Sequence, residues 1–559
     1  FFFFNRMMYT NTSQVPGTML ETPHSGPPEI GSQEIETLSV LGDGSFGIVR
    51  KGRCRAKDVA VKVLHQQNLD EKALQSFRKE VEIVSKIFHP NIVLFMGACT
   101  IPGSMMIVTE LMPKGDLESI LQDKSIHLGL LTRMKMAKDA ALGMAWLHGS
   151  NPQFIHRDFK TSNLLVDENN RIKICDFGLS QIKQQGEKLL DGKEGARGTP
   201  LWMAPEVLEG REFSEKADIY SFGVVLWEIL TREEPFREFD TFEEFRESVC
   251  FRHYRPQIPE NTHPSVQRLI ECCWQANPEH RPSFPEIITA LDHIIVDCAI
   301  SDEIGRRLWK ERFLNSEYVP WRLFLESFID VIDFYGDSTY QTLPEMPSAD
   351  AIHAANEYVL FEFSERSPQH SAIVNDEYIR RQNARMQPSE ADLKLKCLKM
   401  LIAETPKGEA QGTEQVVHIE QFGNMLVWFG PIVDFTTRKV VLLDTIYNVL
   451  SKPWFHGDIG QLEAENRLAK RDVGTFLIRF SSIVGCFTIS KVCDRALTHQ
   501  RILHHPGQGF SINHRFSNNL VQLVESQALE LGLLASCPGS RYLGELFNDQ
   551  AMYSGYVLS

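Results

Sequence analysis

Residues 154–178 read F-I-H-R-D-F-K-T-S-N-L-L-V-D-E-N-N-R-I-K-I-C-D-F-G and carry two acids, Asp158 and Asp176, with Asn163 between them. A carboxylate beside a substrate hydroxyl can accept its proton, so Asp158 is a candidate general base. A second carboxylate and an amide oxygen can hold Mg²⁺ against nucleotide phosphates, so Asp176 and Asn163 are candidate metal ligands. Lys160 can neutralise charge on a moving phosphoryl group. The stretch predicts phosphoryl transfer.

A glycine-rich run lies upstream of this stretch. Its nine residues follow the pattern G-x-G-x-x-G-x-V and are Leu41, Gly42, Asp43, Gly44, Ser45, Phe46, Gly47, Ile48 and Val49. Glycines let the backbone approach triphosphate oxygens, and Lys62, which ends V-A-V-K, offers a point charge for two of the phosphates. The glycine pattern alone is weak because it serves many turns. Followed by Lys62 and residues 154–178, it predicts an ATP site.

The order of these parts resembles the protein-kinase superfamily, with H-R-D-x-K-x-x-N, then D-F-G, then A-P-E. The resemblance implies a bilobal protein-kinase fold that uses ATP and Mg²⁺. It implies that Glu80 pairs with Lys62, with a solvated helix charge as the alternative interpretation of Glu80. It also implies that Asp218 anchors the catalytic loop and that Arg281 pairs with Glu206.

The same region bears on substrate preference. Lys160 and the G-T-P around Thr199 are typical of serine/threonine kinases, and F-R-K-E-V, L-F-M-G-A and G-T-P-L-W-M-A-P-E-V-L are similar to the tyrosine-kinase-like branch. Between Asp176 and Glu206 the only hydroxyl side chains are Ser180 and Thr199. We therefore expect no activation-loop phosphotyrosine. The sequence leaves tyrosine as a second acceptor open.

The segments W-F-H-G-D-I, G-T-F-L-I-R-F-S-S and T-H-Q-R-I, which begin at residue 454, resemble an SH2 domain. An arginine within F-L-I-R-F-S can direct two donors at a phosphate in a pocket deep enough for phosphotyrosine. A snorkelling arginine is the alternative. The phosphotyrosine-binding residues implied are Arg479, Ser481, Ser482, His499 and Arg501. The family often has a further arginine on the first helix, where this chain has Gln461.

A kinase domain followed by an SH2 domain resembles the SHK family of kinase–SH2 proteins, described as dual-specificity kinases. The resemblance implies a Ser/Thr and Tyr protein kinase that acts in signal transduction on protein substrates and binds phosphotyrosine-containing proteins. The alternative is a phosphotyrosine-binding pseudokinase adaptor. That alternative would be supported by loss of Lys62, Asp158 or Asp176, and all three are present.

Together with the length of the chain, the two resemblances imply a multidomain α+β protein. The predicted parts are a disordered tail at 1–33, a kinase domain at 34–298, a mostly helical connector at 299–452, an SH2 domain at 453–547 and a tail at 548–559. Helical periodicity is clear over 321–334 and 416–429, and the connector contains no D-x-D-x-D-G calcium loop. The SH2 domain is expected to be an antiparallel sheet flanked by two helices.

The bulk composition limits partners and location. A formal charge of −15 argues against nucleic-acid binding by phosphate neutralisation. The eleven cysteines include no C-x-x-C pair and fit a reducing compartment. The sequence contains no apolar run of about 18 residues, the length that a transmembrane segment needs. We expect a cytoplasmic protein, and the sequence leaves open its peripheral recruitment to the inner face of the plasma membrane.

Overall fold

The computed structural model describes residues 28–44, 47–65, 75, 77–78, 81–82, 84–101, 103–176, 181–183, 199–336, 390–406, 414–494, 496–505 and 508–547. The chain divides into two compact units, Phe1–Leu291 and Asp292–Ser559. The predictions made for residues 1–27 and 548–559, and for Ser45, Phe46, Glu80 and Ser180, lie outside the described residues.

Five strands open the first unit as an antiparallel sheet in the order β1-β2-β3-β5-β4. They are β1 Ile35–Gly44, β2 Gly47–Cys54, β3 Lys57–Leu64, β4 Phe95–Cys99 and β5 Met106–Glu110. The alternating pattern of β3 buries Val59 and Val61 fully on one face. Lys62 therefore lies on the opposite face of the sheet.

Residues 28–31, predicted as part of the tail, pack against this sheet. The Ile30 amide donates to Ala98 O at 2.8 Å, and the Ala98 amide donates to Pro28 O at 3.0 Å. Ile30 is buried beside Val59 and Val61. The apolar Ile30 in an otherwise Pro- and Gly-rich run explains why the ordered chain starts before residue 34.

Helices dominate the rest of the first unit. The helices and short strands are α1 Leu117–Gln122, α2 Leu130–Gly149, β6 Gln153–Ile155, β7 Leu164–Val166, β8 Ile172–Ile174, β9 Gln181–Lys183, α3 Pro205–Leu208, α4 Lys216–Thr231, α5 Phe242–Phe251, α6 Pro264–Cys273 and α7 Phe284–Ala299. In α4 every residue from Ala217 to Ile229 is buried, which identifies it as the central helix. Strand β6 pairs with β9, and β7 pairs with β8. These two strand pairs flank the loop between β6 and β7.

The second unit begins with two helix–strand–helix arrangements. Its first elements are α8 Glu303–Arg312, β10 Tyr318–Pro320, α9 Trp321–Gly336, α10 Glu390–Ile402, β11 Ala403–Glu404, β12 Val416–His418, α11 Ile419–Phe429, β13 Val433–Asp434, β14 Lys439–Val440 and α12 Leu442–Leu450. Strand β12 pairs antiparallel with β10 and with β11. The prediction of helix over 416–429 was therefore wrong for residues 416–418, where Val-Val favours a strand.

A second large sheet follows, accompanied by three helices. Its elements are β15 Phe455–Gly457, α13 Gln461–Leu468, β16 Thr475–Phe480, β17 Phe487–Val492, β18 Leu497–His505, β19 Gly509–Ile512, β20 Arg515–Ser517, α14 Leu520–Ser526, β21 Ala535–Ser536 and α15 Arg541–Phe547. The strands from β16 to β20 pair antiparallel, as predicted. The short strands β15 and β21 both pair parallel with β16, which departs from a purely antiparallel sheet.

One apolar core runs through the connector and this second sheet. The ring of Phe429 in α11 lies 6.5 Å from Phe455 and 5.9 Å from Phe487, both in the sheet. These residues are all nearly fully buried. The boundary predicted at 452/453 therefore passes through a single packed core. Among the described residues, no helix has the length and hydropathy needed to cross a bilayer.

Candidate functional site

The predicted base Asp158 lies in the loop between β6 and β7, where three side chains contact it. Thr199 donates to Asp158 Oδ1 from its backbone amide at 3.0 Å and from its hydroxyl at 2.8 Å. Lys160 Nζ lies 3.2 Å from Asp158 Oδ2 and donates to Thr199 Oγ1 at 2.6 Å. The amide of Asn163 donates to Asp158 Oδ2 at 3.1 Å. These contacts fix the carboxylate before any substrate arrives.

A buried carboxylate from α4 holds the backbone of this loop. Asp218 accepts from the amides of His156 and Arg157, each at 2.9 Å, as the sequence predicted. The ring of His148 reaches the same carboxylate at 2.8 Å. Burial alone would raise the pKa of Asp218, but the hydrogen bond from His148 and the other charged and polar neighbours lower it below the usual value. Arg157 has φ +69°, a strained conformation that these two bonds stabilise.

The two candidate metal ligands lie on neighbouring backbone segments at the end of β8. The Cys175 amide donates to Asn163 O at 3.0 Å, which places Asn163 beside the residue before Asp176. Asp176 has φ +60°, and its Oδ1 accepts from Lys62 Nζ at 3.1 Å. The Nδ2 of Asn163 is used for Asp158, so its amide oxygen is the atom left for a cation. A carboxylate and an amide oxygen fit Mg²⁺ in chemistry.

The described glycine-rich residues lie at the adjoining ends of β1 and β2. Gly42 pairs with Val49, and Gly44 pairs with Gly47. A side chain at Gly47 would come within 2.3 Å of Val63 O, so only glycine fits there. A side chain at Gly42 would meet nothing within 4 Å, which leaves space above the strand for a ligand. Lys62 on β3 pairs with Val49 on β2, which brings the lysine close in register to these residues.

The A-P-E glutamate is paired as predicted. Arg281 donates from two guanidinium nitrogens to Glu206, at 2.6 and 2.9 Å. Both side chains are almost completely buried. The fork–fork geometry and the burial make this a structural pair that fixes the end of the activation segment.

A second buried acid, Glu228, was missed by the sequence analysis. It accepts from Thr161 Oγ1 at 3.0 Å and from Trp202 Nε1 at 2.6 Å, which ties the catalytic loop to the activation segment. Burial raises the pKa of Glu228 to about 8, against the opposing effect of the two hydrogen bonds. A single acid inside the apolar run of α4 was the available signal, since such a residue is rarely buried without partners.

In the second unit Arg479 lies on β16 with only 8% of its surface exposed. It pairs with Thr488, which pairs in turn with Arg501, so the two arginines share one face of the sheet. Its Nη1 donates to Phe480 O at 3.3 Å, whereas its Nε finds no hydrogen-bond partner among the described residues. Burial lowers the pKa of Arg479, partly offset by the charge of Glu465. A buried, incompletely bonded guanidinium is suited to receive an anion.

The other predicted phosphotyrosine-binding residues surround this face. Ser481 and Ser482 begin the loop after β16, with Ser481 buried and Ser482 exposed. His499 lies on the same face as Arg501, two residues away, and contacts Ser490 Oγ at 2.8 Å and Glu465 Oε1 at 3.2 Å.

The position that often carries a second arginine behaves differently here. Gln461 donates to Glu465 Oε1 at 2.8 Å. Its hydrogen bond, followed by that of His499, lowers the pKa of Glu465. The first helix of this domain therefore contributes a carboxylate near the pocket, which was not foreseen.

Comparison with known proteins identifies the two domains that contain these candidate sites. Residues 35–291 match the family of protein tyrosine and serine/threonine kinases, and residues 454–527 match the SH2 domain. The chain is 50% identical to the dual specificity protein kinase shkA of Dictyostelium discoideum, over 95% of this chain and 93% of the relative. It is 49% identical to shkC of the same organism, over 91% of each chain. Identity to shkD is 41%, over 97% of this chain and 66% of the relative.

Proposed function

This chain belongs to the family of dual specificity protein kinases that carry a C-terminal SH2 domain, and from that premise we propose how its residues divide catalysis and targeting. Asp158 accepts the proton of the substrate hydroxyl as that oxygen attacks the γ-phosphoryl group of ATP. Lys160 stabilises the charge on the transferred group, and Lys62 positions the phosphates under the glycine-rich run. Bound at Asn163 and Asp176, Mg²⁺ would neutralise phosphate charge.

The remaining predicted residues support these roles. Residues 41–49 would cover the phosphates, and Glu80 would orient Lys62. In the second unit Arg479 would bind the phosphate of phosphotyrosine with Ser481 and Ser482. His499 and Arg501, on the same face of the sheet, would contact the phosphotyrosine ring and its phosphate.

Serine and threonine are proposed as the preferred acceptors. The observation that supports this preference is the hydroxyl of Thr199, which lies 2.8 Å from Asp158 Oδ1 and 2.6 Å from Lys160 Nζ. An aliphatic hydroxyl therefore fits between the base and the lysine. Tyrosine is proposed as the slower acceptor.

The phosphotyrosine pocket is proposed to determine where the kinase acts. The described cysteines are all free thiols, which suits the cytoplasm. We place the protein there, with recruitment to the inner face of the plasma membrane wherever tyrosines on membrane-bound proteins are phosphorylated. Its substrates would be proteins close to those phosphotyrosines.

A kinetic comparison tests the catalytic assignment. The purified full chain is given labelled ATP and peptides that differ only in a Ser, Thr or Tyr acceptor. We expect faster transfer to Ser and Thr, and a decrease in kcat of roughly 10²- to 10⁴-fold in Asp158→Asn. Asp167→Asn, an acid of the turn after β7, is the matched control. A wild-type chain with no transfer to any acceptor would instead favour the adaptor alternative.

A binding experiment tests the targeting assignment. Arg479→Met should abolish measurable binding of a phosphotyrosine peptide, and Arg515→Met, an exposed arginine of β20, should not. If Arg479→Met binds the peptide as tightly as wild type does, the proposed role of Arg479 in phosphotyrosine binding is wrong. Kinase activity on a free peptide should be the same in both variants.

A further inference from the structure

The loop that follows β16 is braced from outside the SH2 domain. Its last residue, Cys486, has a carbonyl oxygen that accepts the Ser481 amide at 3.0 Å, which closes the loop. The same oxygen accepts from Trp428 Nε1, also at 3.0 Å, and Trp428 belongs to the connector helix α11. One carbonyl therefore joins the loop closure to the connector.

The ring of Trp428 makes a second contact with the pocket. It lies 4.5 Å from the ring of Phe480, centroid to centroid, at the close end of the range for aromatic pairs. Phe480 stands between Arg479 and Ser481 in the sequence. The indole is thus fixed at both ends of the loop, through Phe480 at its start and Cys486 at its end.

The neighbouring residue, Val427, contacts the loop from the same helix. Gly485 has φ +83°, and a side chain there would come within 2.8 Å of Val427 Cγ1. The carbonyl of Val427 is bonded to His504 Nδ1 of β18 at 2.7 Å. The helix and the sheet are therefore packed too closely around the loop for it to move independently.

The pocket around Arg479 opens into a cleft that is lined by the SH2 domain and by the connector. The cleft has a volume of about 960 Å³. Arg479, Ser481 and Ser482 line it from the sheet, and Gln421, Met425 and Trp428 line it from α11. A volume of this order accommodates a ligand larger than a phosphate ion.

We propose that the connector is part of the phosphotyrosine-binding site, with Trp428 as the residue that positions the phosphate loop, residues 481–486. This inference rests on the proposed role of Arg479 and deepens it. The ligand is a phosphotyrosine peptide whose phosphate is bound by Arg479 and the loop amides. The bond from Trp428 to Cys486 O holds those amides in place before the peptide arrives, so less ordering is needed on binding.

Binding by full-chain variants tests this proposal. Trp428→Phe keeps an aromatic ring beside Phe480 and removes the N–H donor. One hydrogen bond to a loop carbonyl corresponds to roughly a two- to tenfold weaker binding of a phosphotyrosine peptide. Trp309→Phe is the matched control, because Trp309 Nε1 also donates to a backbone carbonyl, Ser316 O at 3.1 Å, in the same unit. That control should bind as wild type does.

Hydrogen exchange separates positioning from folding. In Trp428→Phe the amides of Ser481 and Cys486 should exchange faster, while the paired amides of β16 and β17 keep their protection. In Trp309→Phe the loop amides should be unchanged. Val427→Ala, a smaller change at the Gly485 contact, should accelerate the same loop amides without altering those of the strands, and serves if Trp428→Phe fails to fold.

The outcomes distinguish this inference from the proposed function. Loss of binding in Arg479→Met with wild-type binding in Trp428→Phe would overturn the inference alone. Wild-type binding in Arg479→Met would overturn the pocket and the inference together. Equal weakening in Trp428→Phe and Trp309→Phe would show a general effect of connector stability and would also overturn it.

Discussion

The catalytic loop and the phosphate pocket treat buried charge in opposite ways. In the catalytic loop Asp158 is bonded to Thr199, Lys160 and Asn163. In the phosphate pocket Arg479 is buried more deeply than Asp158, but its Nε lacks a hydrogen-bond partner among the described residues. The charge of the first site is bonded within the chain, whereas the second site keeps a donor for the ligand that we propose.

The difference follows from what each site does. A catalytic base must stand in its reactive position before the transition state forms, so fixed partners favour it. A binding site gains most when its charge is poorly satisfied in the free protein, because the ligand then supplies the missing bonds. We therefore expect enclosed charge to contribute order in the first unit and binding affinity in the second.

The largest expected effect on stability is at the buried pair of Arg281 and Glu206. Arg281→Met leaves Glu206 buried without its partner, and breaking such a pair destabilises a protein by about 3–5 kcal/mol. Urea unfolding of the full chain, followed by hydrogen exchange in residues 199–291, measures the loss. Arg237→Met, which removes an exposed pair with Glu233, is the matched control and should change stability by less than about 1 kcal/mol. Equal stability of the two variants would refute the contrast.

The second effect depends on pH and concerns Glu228. Its folded pKa of about 8 lies above the ordinary carboxyl value of 4.5, so the folded unit binds the extra proton between these pH values. Stability should therefore fall as pH rises from about 4.5 to 8, by at most about 1.4 kcal/mol per pH unit. Glu228→Gln, which cannot ionise, should lose this part of the slope. If the free energies of unfolding of the wild type and the variant differ by a constant amount over this pH range, the prediction is wrong.

A smaller effect is expected at Thr199. Thr199→Val removes the hydroxyl between Asp158 and Lys160, and hydrogen bonds to charged groups contribute about 1.5–3 kcal/mol. We expect kcat to fall roughly ten- to hundredfold, measured on a serine peptide. Thr199→Ser keeps the hydroxyl and should remain close to wild type. Full activity in the valine variant would mean that the bonded Thr199 hydroxyl is not part of the catalytic arrangement.

The smallest effect on stability is expected at Arg479, whose guanidinium is incompletely bonded. Arg479→Met should leave the stability of the second unit within about 0.5 kcal/mol of wild type or raise it, because an incompletely bonded buried charge is replaced by an apolar side chain. Hydrogen exchange of the amides in β16 and β17 is the measurement. Marked destabilisation would show that Arg479 holds the fold together as Arg281 does, and the comparison would fail.

The sequence predicted those parts of the molecule that short motifs specify. Asp158, Asn163 and Asp176 were found because one 25-residue stretch contains them all, and Arg479 was found from its flanking strand residues. Glu228 and Trp428 could not be found in this way. Glu228 matters through contacts with Thr161 and Trp202, which are 67 and 26 residues away in the chain. Trp428 contacts Cys486, 58 residues further on, and nothing near either residue indicates the pairing.

The common core of the connector and the second sheet limits which segments of this protein can be transferred to another protein. A cut at residue 452 would separate Phe429 from Phe455 and Phe487 and expose three large aromatic rings to water. An exchangeable piece that keeps this core must therefore contain the connector together with the SH2 domain, since the core extends from Val296 to Leu546. Gene fusion or duplication would be expected to carry the connector with the SH2 domain, and a chimera built from the SH2 residues alone should aggregate.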